Sequence, residues 1–508
     1  MRSIFSCIWT IAGAYLHAQV SPQLVIAHVT VIDVASGSAL PDRSVVINGN
    51  RIAAVEPSAT LRVLEGVRVV EARGKYLIPG LWDMHVHMRG SLRETTIDFA
   101  KENEAMLALY VANGVAGVRE MGGDLTDRLL RWRSEVERGE RLGPRIATCG
   151  PKLDGPLPEW PGSIAISTVE QARAAVRRVK AMGFDFIKVY NGVPNIARDA
   201  YLAILDEAKR ENIRVTGHVP LTLTVEEVSN GGQSIEHFNE YLPGCVRNEK
   251  ELKAKLNDGR IAGGTYDAAV VRSFSKSTAE QLFERFAKNG TWVTPTLTIA
   301  HADAFPQQNT ARAASWKRYL SPAWADTWND RGDPADISLT LGDARKQYQH
   351  ALETVRWMHK AGVEILAGSD TATSNAYTYP GFSLHEELDY LAEAGLTPLE
   401  ALQCATINAA RWLGRLDELG TVAKGKLADL VLLDANPLSS IRNTRKIRAV
   451  VMNGRFLDRE DLDQMLGQLR REPDSKPGAL PRLGIKGHLA AQGPDPPLNA
   501  HRPEPQQF

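Results

Sequence analysis

The chain has 508 residues, 43% apolar and 24% charged, as in an ordinary globular protein with room for two or more domains. Its 60 Lys and Arg balance 60 Asp and Glu, so net charge favours neither nucleic acid nor a membrane surface as partner. No apolar run after the N-terminus approaches the roughly 20 residues that span a bilayer, so no integral membrane segment is expected.

The first residues differ from the rest. Met1-Arg2-Ser3 precedes an apolar segment from Ile4 to Leu16, then His17-Ala18-Gln19, the pattern of a secretory signal over 1–18. Export to the periplasm or medium is expected; a buried N-terminal helix in a cytoplasmic protein is the alternative. Cys7 would leave with the signal, and Cys149, Cys245 and Cys404 have no metal-site spacing, so they read as buried small hydrophobes.

From residue 22 to 79 the pattern is β. Leu24–Asp33 is rich in β-branched residues, Val45–Val55 is two strands around Asn48-Gly49, and Val67–Ala72 is another strand. No helical periodicity separates them, which predicts a small β-sandwich. From Gly80 strands alternate with helices. The strand candidates are Leu81–His87, Val115–Glu120, Arg145–Cys149, Phe186–Tyr190, Arg214–Val219, Ser234–Phe238, Trp292–Leu297 and Glu364–Asp370. Eight apolar strands with helices between them predict an α/β protein whose residues 80–414 form a (β/α)8, TIM-like barrel, with its chemistry at the C-terminal strand ends.

A last helix runs from the cap Thr397-Pro398-Leu399-Glu400 through Leu402, Thr406, Ala409 and Leu413 to Gly414. Gly420–Asp434 and Ile447–Leu457 then return to β without a core of their own, so residues 415–465 are expected to complete the N-terminal sandwich around the inserted barrel. The segment 243–345 exceeds a minimal barrel and is expected to form a helical cap over the mouth. Its Trp316, Trp324 and Trp328 would line a pocket or pack the cap core. Residues 471–508, rich in Pro, Gly and Gln, are expected to be disordered.

Polar residues gather at the predicted strand ends. In His85-Val86-His87 the side chains at i and i+2 share one face, so two imidazoles can hold one metal ion from one rigid element. Alone, the motif reads equally as an exposed polar strand end. Lys188 stands in the apolar strand Phe186–Tyr190, where an ammonium costs several kcal/mol unless paired or modified. His218, His237 and Asp370 end strands five, six and eight. Five of eight strands thus end in residues of metal-ligand type.

These motifs resemble the amidohydrolase superfamily over nearly the whole chain. The resemblance is carried by Pro79-Gly80-Leu81-Trp82-Asp83-Met84-His85-Val86-His87, the histidines of strands five and six, Gly368-Ser369-Asp370, Leu384-His385-Glu386-Glu387-Leu388 and Gly425-Lys426-Leu427-Ala428-Asp429-Leu430-Val431. It implies two divalent metal ions, usually zinc, bridged by a lysine carboxylated by carbon dioxide. Residue by residue, it implies His85, His87 and Asp370 on one metal, His218 and His237 on the other, and carboxylated Lys188 between them. Two such metals lower the pKa of a bridging water, and Asp370 then serves as general base and general acid in amide hydrolysis.

Within the superfamily the chain most resembles the imidazolonepropionase-related group, with its Xaa-Pro and other dipeptidases and ochratoxin-type amidases. That implies a small-molecule substrate such as a dipeptide or N-acyl amino acid. The alternatives are a mononuclear deaminase or a cyclic-amide hydrolase, and, from another class, a metal-free binding protein. Deaminases of the superfamily carry glutamate three residues after the strand-five histidine; here that position is Leu221. Candidate substrate contacts are Tyr190 and Tyr241, just past metal-bearing strands, Arg89, which could meet a carboxylate, and His301 after strand seven. Each has a structural role as its alternative. His385 is expected to order the loop after strand eight, and a homo-oligomer stays open.

Overall fold

The computed structural model describes residues 24–62, 65–90, 99–192, 194–320, 339–371 and 377–470, without the side chains of 310–314. The expected signal at 1–18, the tail at 471–508 and the tryptophans Trp324 and Trp328 lie outside the described residues.

Leu24–Asp33 pairs antiparallel with Ser38–Asn48, which turns at Gly49 (φ 56°) into Arg51–Pro57. The first strand is irregular between Ile26 and Val29. Its first half runs parallel to Arg68–Glu71 and its second half to Tyr76–Pro79, so one strand serves two neighbours on the same side. Tyr76–Pro79 pairs on its other edge with Leu430–Leu433, and Ile447–Met452 and Arg455–Asp458 continue the sheet. Leu24, Ile26, Val45 and Leu77 therefore share one core with Leu430, Leu432 and Ala449, residues some 400 positions away. The β-rich ends of the chain cannot bury their apolar faces separately, and together they do.

Between them lies the barrel. Leu81–Val86, Val115–Glu120 and Arg145–Thr148 form one parallel set. Phe186–Val189, Arg214–Gly217, Ser234–Glu236, Trp292–Thr294 and Glu364–Ile365 form another. Backbone bonds close both seams: Asp185 donates to the Thr148 carbonyl (3.0 Å), while Met84 donates to Ala367 (2.8 Å) and Asp370 to His85 (2.8 Å). The chain is thus an α/β protein, a (β/α)8 barrel inserted in a discontinuous β-sandwich. Trp82, Phe186 and Trp412 fill the barrel near the N-terminal strand ends, leaving the opposite end for polar groups. No helix of the described residues is long and apolar enough to cross a membrane.

Two expectations change. The single helix predicted from Thr397 to Leu413 is two, Pro398–Cys404 and Ile407–Trp412. The carbonyls of Cys404 and Ala405 accept from Ala367 and Trp82 in the barrel strands, so they are turned out of the helical ladder. The segment 243–345 is also not all cap. Its helix Lys276–Asn289 buries Ala279, Leu282, Phe283 and Phe286, packing between Val225–Asn230 and Leu341–Lys360 in the barrel's outer layer.

Candidate metal centre

The side chains of His85, His87, His218 and His237 stand in a row at the C-terminal strand ends, with successive ring centroids (His87, His85, His237, His218) 5.2, 4.5 and 4.8 Å apart. Asp370 joins them, its Oδ1 3.5 Å from His85 Nε2 and 3.4 Å from His87 Nε2, its Oδ2 3.8 Å from His237 Nδ1. Among the described residues, His85, His87 and Asp370 form a buried group whose ligand atoms lie within 4.8 Å of one another.

The barrel fixes these positions through backbone bonds between strands. His87, His218 and His237 donate their amides to Thr371, Val189 and Thr294 in neighbouring strands. Strand geometry then gives way where the ligands turn inward: His237 (φ 64°), Thr296 (φ 49°) and Asp370 (φ 51°) adopt left-handed backbone although none is glycine. Such conformations cost about 1 kcal/mol or more and persist only where the surroundings impose them.

Each imidazole is oriented from behind. His85 Nδ1 donates to Glu236 (2.8 Å), His87 Nδ1 to the Gly122 carbonyl (2.9 Å) and His218 Nδ1 to Glu240 (2.8 Å), while His237 Nδ1 meets Thr296 Oγ1 (3.0 Å). An acceptor on Nδ1 places the proton there and leaves the Nε2 lone pair for a ligand. Burial, ahead of the nearby cations, pulls His85, His87 and His237 well below the usual histidine range, so they stand neutral, as ligands must.

Behind His85 lies a charged layer absent from the sequence reading. Arg119, fully buried, donates through Nη2 to both Glu236 oxygens (2.7 Å each) and to Thr294 Oγ1 (3.0 Å), and through Nε to the Met84 carbonyl (2.6 Å). Thr216 donates to Glu236 as well. Asp83 accepts from the amide and hydroxyl of Ser369 (2.9 and 2.5 Å), tying strand one to the turn that carries Asp370. Glu236 directly precedes His237, which was the one clue to it in the sequence.

Lys188 is fully buried, and its Nζ has no hydrogen-bond partner among the described residues. Burial pulls its pKa down, against the fields of Glu236 and Asp370, and its own field acts on His85, His87 and His237. His85 Nε2 has no hydrogen-bond partner either. Four imidazoles, a carboxylate and a buried amine of lowered pKa are a donor set that fits divalent metal ions.

The candidate substrate residues divide. The Tyr190 ring lies 4.5 Å from His218, and burial pushes its hydroxyl pKa up. Arg89, buried two residues past His87, covers the Trp160 ring at 3.9 Å. Tyr241 and His301 lie outside the row. Tyr241 is fully buried, shares a hydrogen bond with Thr354 (3.2 Å) and packs on Phe283, because it sits in the turn that carries strand six out to the helical layer. His301 stacks on Tyr390 at 4.5 Å, its helix Leu297–Ala304 having turned away after Thr296. His385 bridges Thr444 and the Asn113 carbonyl (2.9 Å each), joining barrel to sandwich. Trp316 stacks on Phe382 at 5.1 Å.

The chain is also similar to known proteins. The chain is 26% identical over 428 residues to an adenine deaminase of Rubrobacter xylanophilus, covering 84% of this chain and 56% of that protein. The chain thus spans little more than half of that relative. It is 25% identical over 427 residues to the ochratoxinase of Aspergillus niger, covering 74% and 73% of the two chains. The crystal structure of a Xaa-Pro dipeptidase with bound methionine superposes with a TM-score of 0.62 at 21% identity, over 86% of this chain and 99% of that one, a likeness of fold. The family model of the Amidohydrolase family matches residues 76–457, from the strand before His85 to the last strand of the sandwich, and the chain belongs to that family.

Proposed function

We propose that this protein is a metal-dependent hydrolase that cleaves an amide- or peptide-type C–N bond in a dipeptide or N-acyl amino acid. Two divalent ions, zinc by the donor set, would be held by His85, His87 and Asp370 and by His218 and His237, with carboxylated Lys188 between them. The observation that carries this reading is Lys188, a buried amine without a hydrogen-bond partner among the described residues, beside a row of four imidazoles. A lysine of lowered pKa offers the neutral amine that adds carbon dioxide, and the product is an anionic ligand in place of a costly cation.

Bound at this position, such ions supply water of pKa near 7 and polarise a carbonyl. The chain's own residues do the rest. Asp370, within 3.8 Å of three imidazoles, is placed to accept the proton of the attacking water and to return it to the leaving amine. Glu236 and Glu240 hold His85 and His218 in the tautomer that leaves Nε2 free. Tyr190, whose ring lies against His218, would donate to the substrate carbonyl oxygen.

The likeness to adenine deaminases supplies the competing reading, and Leu221 weighs against it. Its side chain cannot carry a proton, and its amide donates to Asn195 (2.6 Å).

Elemental analysis of protein purified without chelators, beside Lys188→Ala, tests the proposal. It requires about two zinc-like ions per chain in the native protein and fewer in the variant. One ion, indifferent to Lys188, would favour the deaminase reading. No ion even after reconstitution with bicarbonate would leave a binding protein.

A further inference from the structure

The carboxylate behind His218 is itself held. Glu240 is buried, and the last torsion of a glutamate is soft, so hydrogen bonds set the plane of its carboxylate. Three donors do so. Oε2 accepts from the Val219 amide (2.9 Å), and Oε1 accepts both from His218 Nδ1 (2.8 Å) and from Asn191 Nδ2 (3.0 Å). Because a carboxylate only accepts, the Asn191 amide must face it with its nitrogen. Val219 lies just past the strand Arg214–Gly217 and Asn191 just past Phe186–Val189, so Glu240 joins two strand ends.

The Asn191 side chain is aimed by its own loop. Tyr190 donates its amide to the Leu153 carbonyl (2.8 Å), and the Gly192 amide donates to Asp154 Oδ1 (2.9 Å). The backbone on each side of Asn191 is thus fastened to the short strand Leu153–Asp154. Glycine permits the second bond, since a Cβ at 192 would stand 2.8 Å from both Asp154 carboxylate oxygens. From the far side, Asn195 Nδ2 donates to the carbonyls of Gly192 (3.1 Å) and Asn191 (3.3 Å). Asn195 Oδ1 in turn accepts from the Leu221 amide (2.6 Å), which ties in the loop after strand five. The residue before Asn191 is Tyr190, whose ring lies 4.5 Å from His218.

We infer that Asn191 is a positioning residue for the second ion: through Glu240 it fixes the His218 imidazole, and with it the ion that His218 and His237 would hold. The inference rests on the metal-dependent hydrolase reading. Without the Asn191 bond the carboxylate is free to rotate, and His218 loses the fixed acceptor that aims its Nε2. His85 and His87 have acceptors of their own, Glu236 and the Gly122 carbonyl, so the loss falls on the His218–His237 ion.

The test uses the full chain loaded with zinc, native and as Asn191→Ala and Asn191→Leu, titrated with EDTA. Both variants should bind one ion per chain about tenfold more weakly, with the other ion held as in the native protein. Leucine fills the volume of asparagine and donates nothing, so a native-like Asn191→Leu would reveal a packing role alone and overturn the inference. Adding Asn191→Ala to Glu240→Ala should cost no further affinity, because the effect runs through Glu240; additive losses would overturn that route. On the substrate cleaved best in a panel of dipeptides and N-acetyl amino acids, kcat should fall in both variants by more than KM rises. A rise in KM alone would count against the inference. Unfolding midpoints of the metal-free proteins identify a variant that fails to fold, and the other then carries the test. Two ions, turnover and native-like variants would overturn the inference and leave the hydrolase standing. The expected loss of one ion's affinity in a protein that cleaves nothing would uphold the role of Asn191 and sink the hydrolase.

Discussion

The imidazole of His85 and the carboxylate of Glu236 meet at 2.8 Å, and neither side chain has any exposure to solvent. Arg119 compensates the acid from below, so a ligand of the candidate centre is oriented by an ion pair sealed inside the barrel.

Breaking that pair should separate two effects. Glu236→Ala leaves the Arg119 guanidinium buried without its acid, and should cost about 3–5 kcal/mol in chemical unfolding of the metal-free protein. Glu236→Gln keeps the shape but weakens the acceptor of His85 Nδ1, and should lower metal affinity by about 10–100-fold in a chelator titration. Unchanged affinity in the glutamine variant would mean that Glu236 serves stability alone.

Glu240 offers the same test at the other end of the row. Its two oxygens accept from His218 Nδ1 (2.8 Å) and the Val219 amide (2.9 Å), and its pKa is lowered by His218 and these bonds despite burial. Glu240→Gln should loosen the ion held by His218 and His237 first, so graded chelation should strip about one ion per chain ahead of the other. Simultaneous loss of both would show that Glu240 does not act on one site selectively.

Gly368 lies two residues before Asp370 and against His85. An added Cβ would stand 2.6 Å from Thr294 Cγ2, 2.7 Å from His85 Cβ and 2.9 Å from the His85 amide nitrogen. Gly368→Ala should therefore cost about 1–3 kcal/mol and reduce metal content together, because the backbone that carries His85 must move. Gly467, in the helix Arg459–Leu469 with nothing within 4 Å, is the control. There alanine should raise stability by about 0.5–1 kcal/mol and leave metal content alone.

Glu387 gives a dependence on pH. Burial pushes its carboxyl up to about 8, although the Thr298 amide donates to it at 2.9 Å. Between the ordinary value of 4.5 and about 8 the folded chain keeps a proton that the unfolded chain has released. Its contribution to stability therefore falls as pH rises through that window and levels off above about 8, by on the order of 5 kcal/mol in total. Glu387→Gln, neutral throughout, should flatten the slope between pH 5 and 8 and raise the unfolding midpoint at pH 8. A variant with the native slope would place the titration elsewhere.

Much of the fold was legible because strands and helices write their periods into the chain. The eight barrel strands, the composite sheet and the strand-end positions of His85, His87, Lys188, His218, His237 and Asp370 follow from short apolar runs, turn residues and the rule that barrels work at one end. The helix that breaks at Ala405 was not legible, because its carbonyls are claimed by strands elsewhere in the chain.

The sequence by itself determined which residue types stand at the barrel's working end, since alternation along a strand is a local property. Only the tertiary structure decided what surrounds them. Glu236 reaches Arg119 and His85 from a different strand, and Lys152 meets the Tyr190 ring, pairings between positions far apart in the chain. Tyr241 and His301 looked equivalent to Tyr190 by spacing, yet the backbone turns at His237 and Thr296 send them into the helical layer. A residue's type records what it can bind. Where it points is set by packing that closes only when the whole barrel has formed.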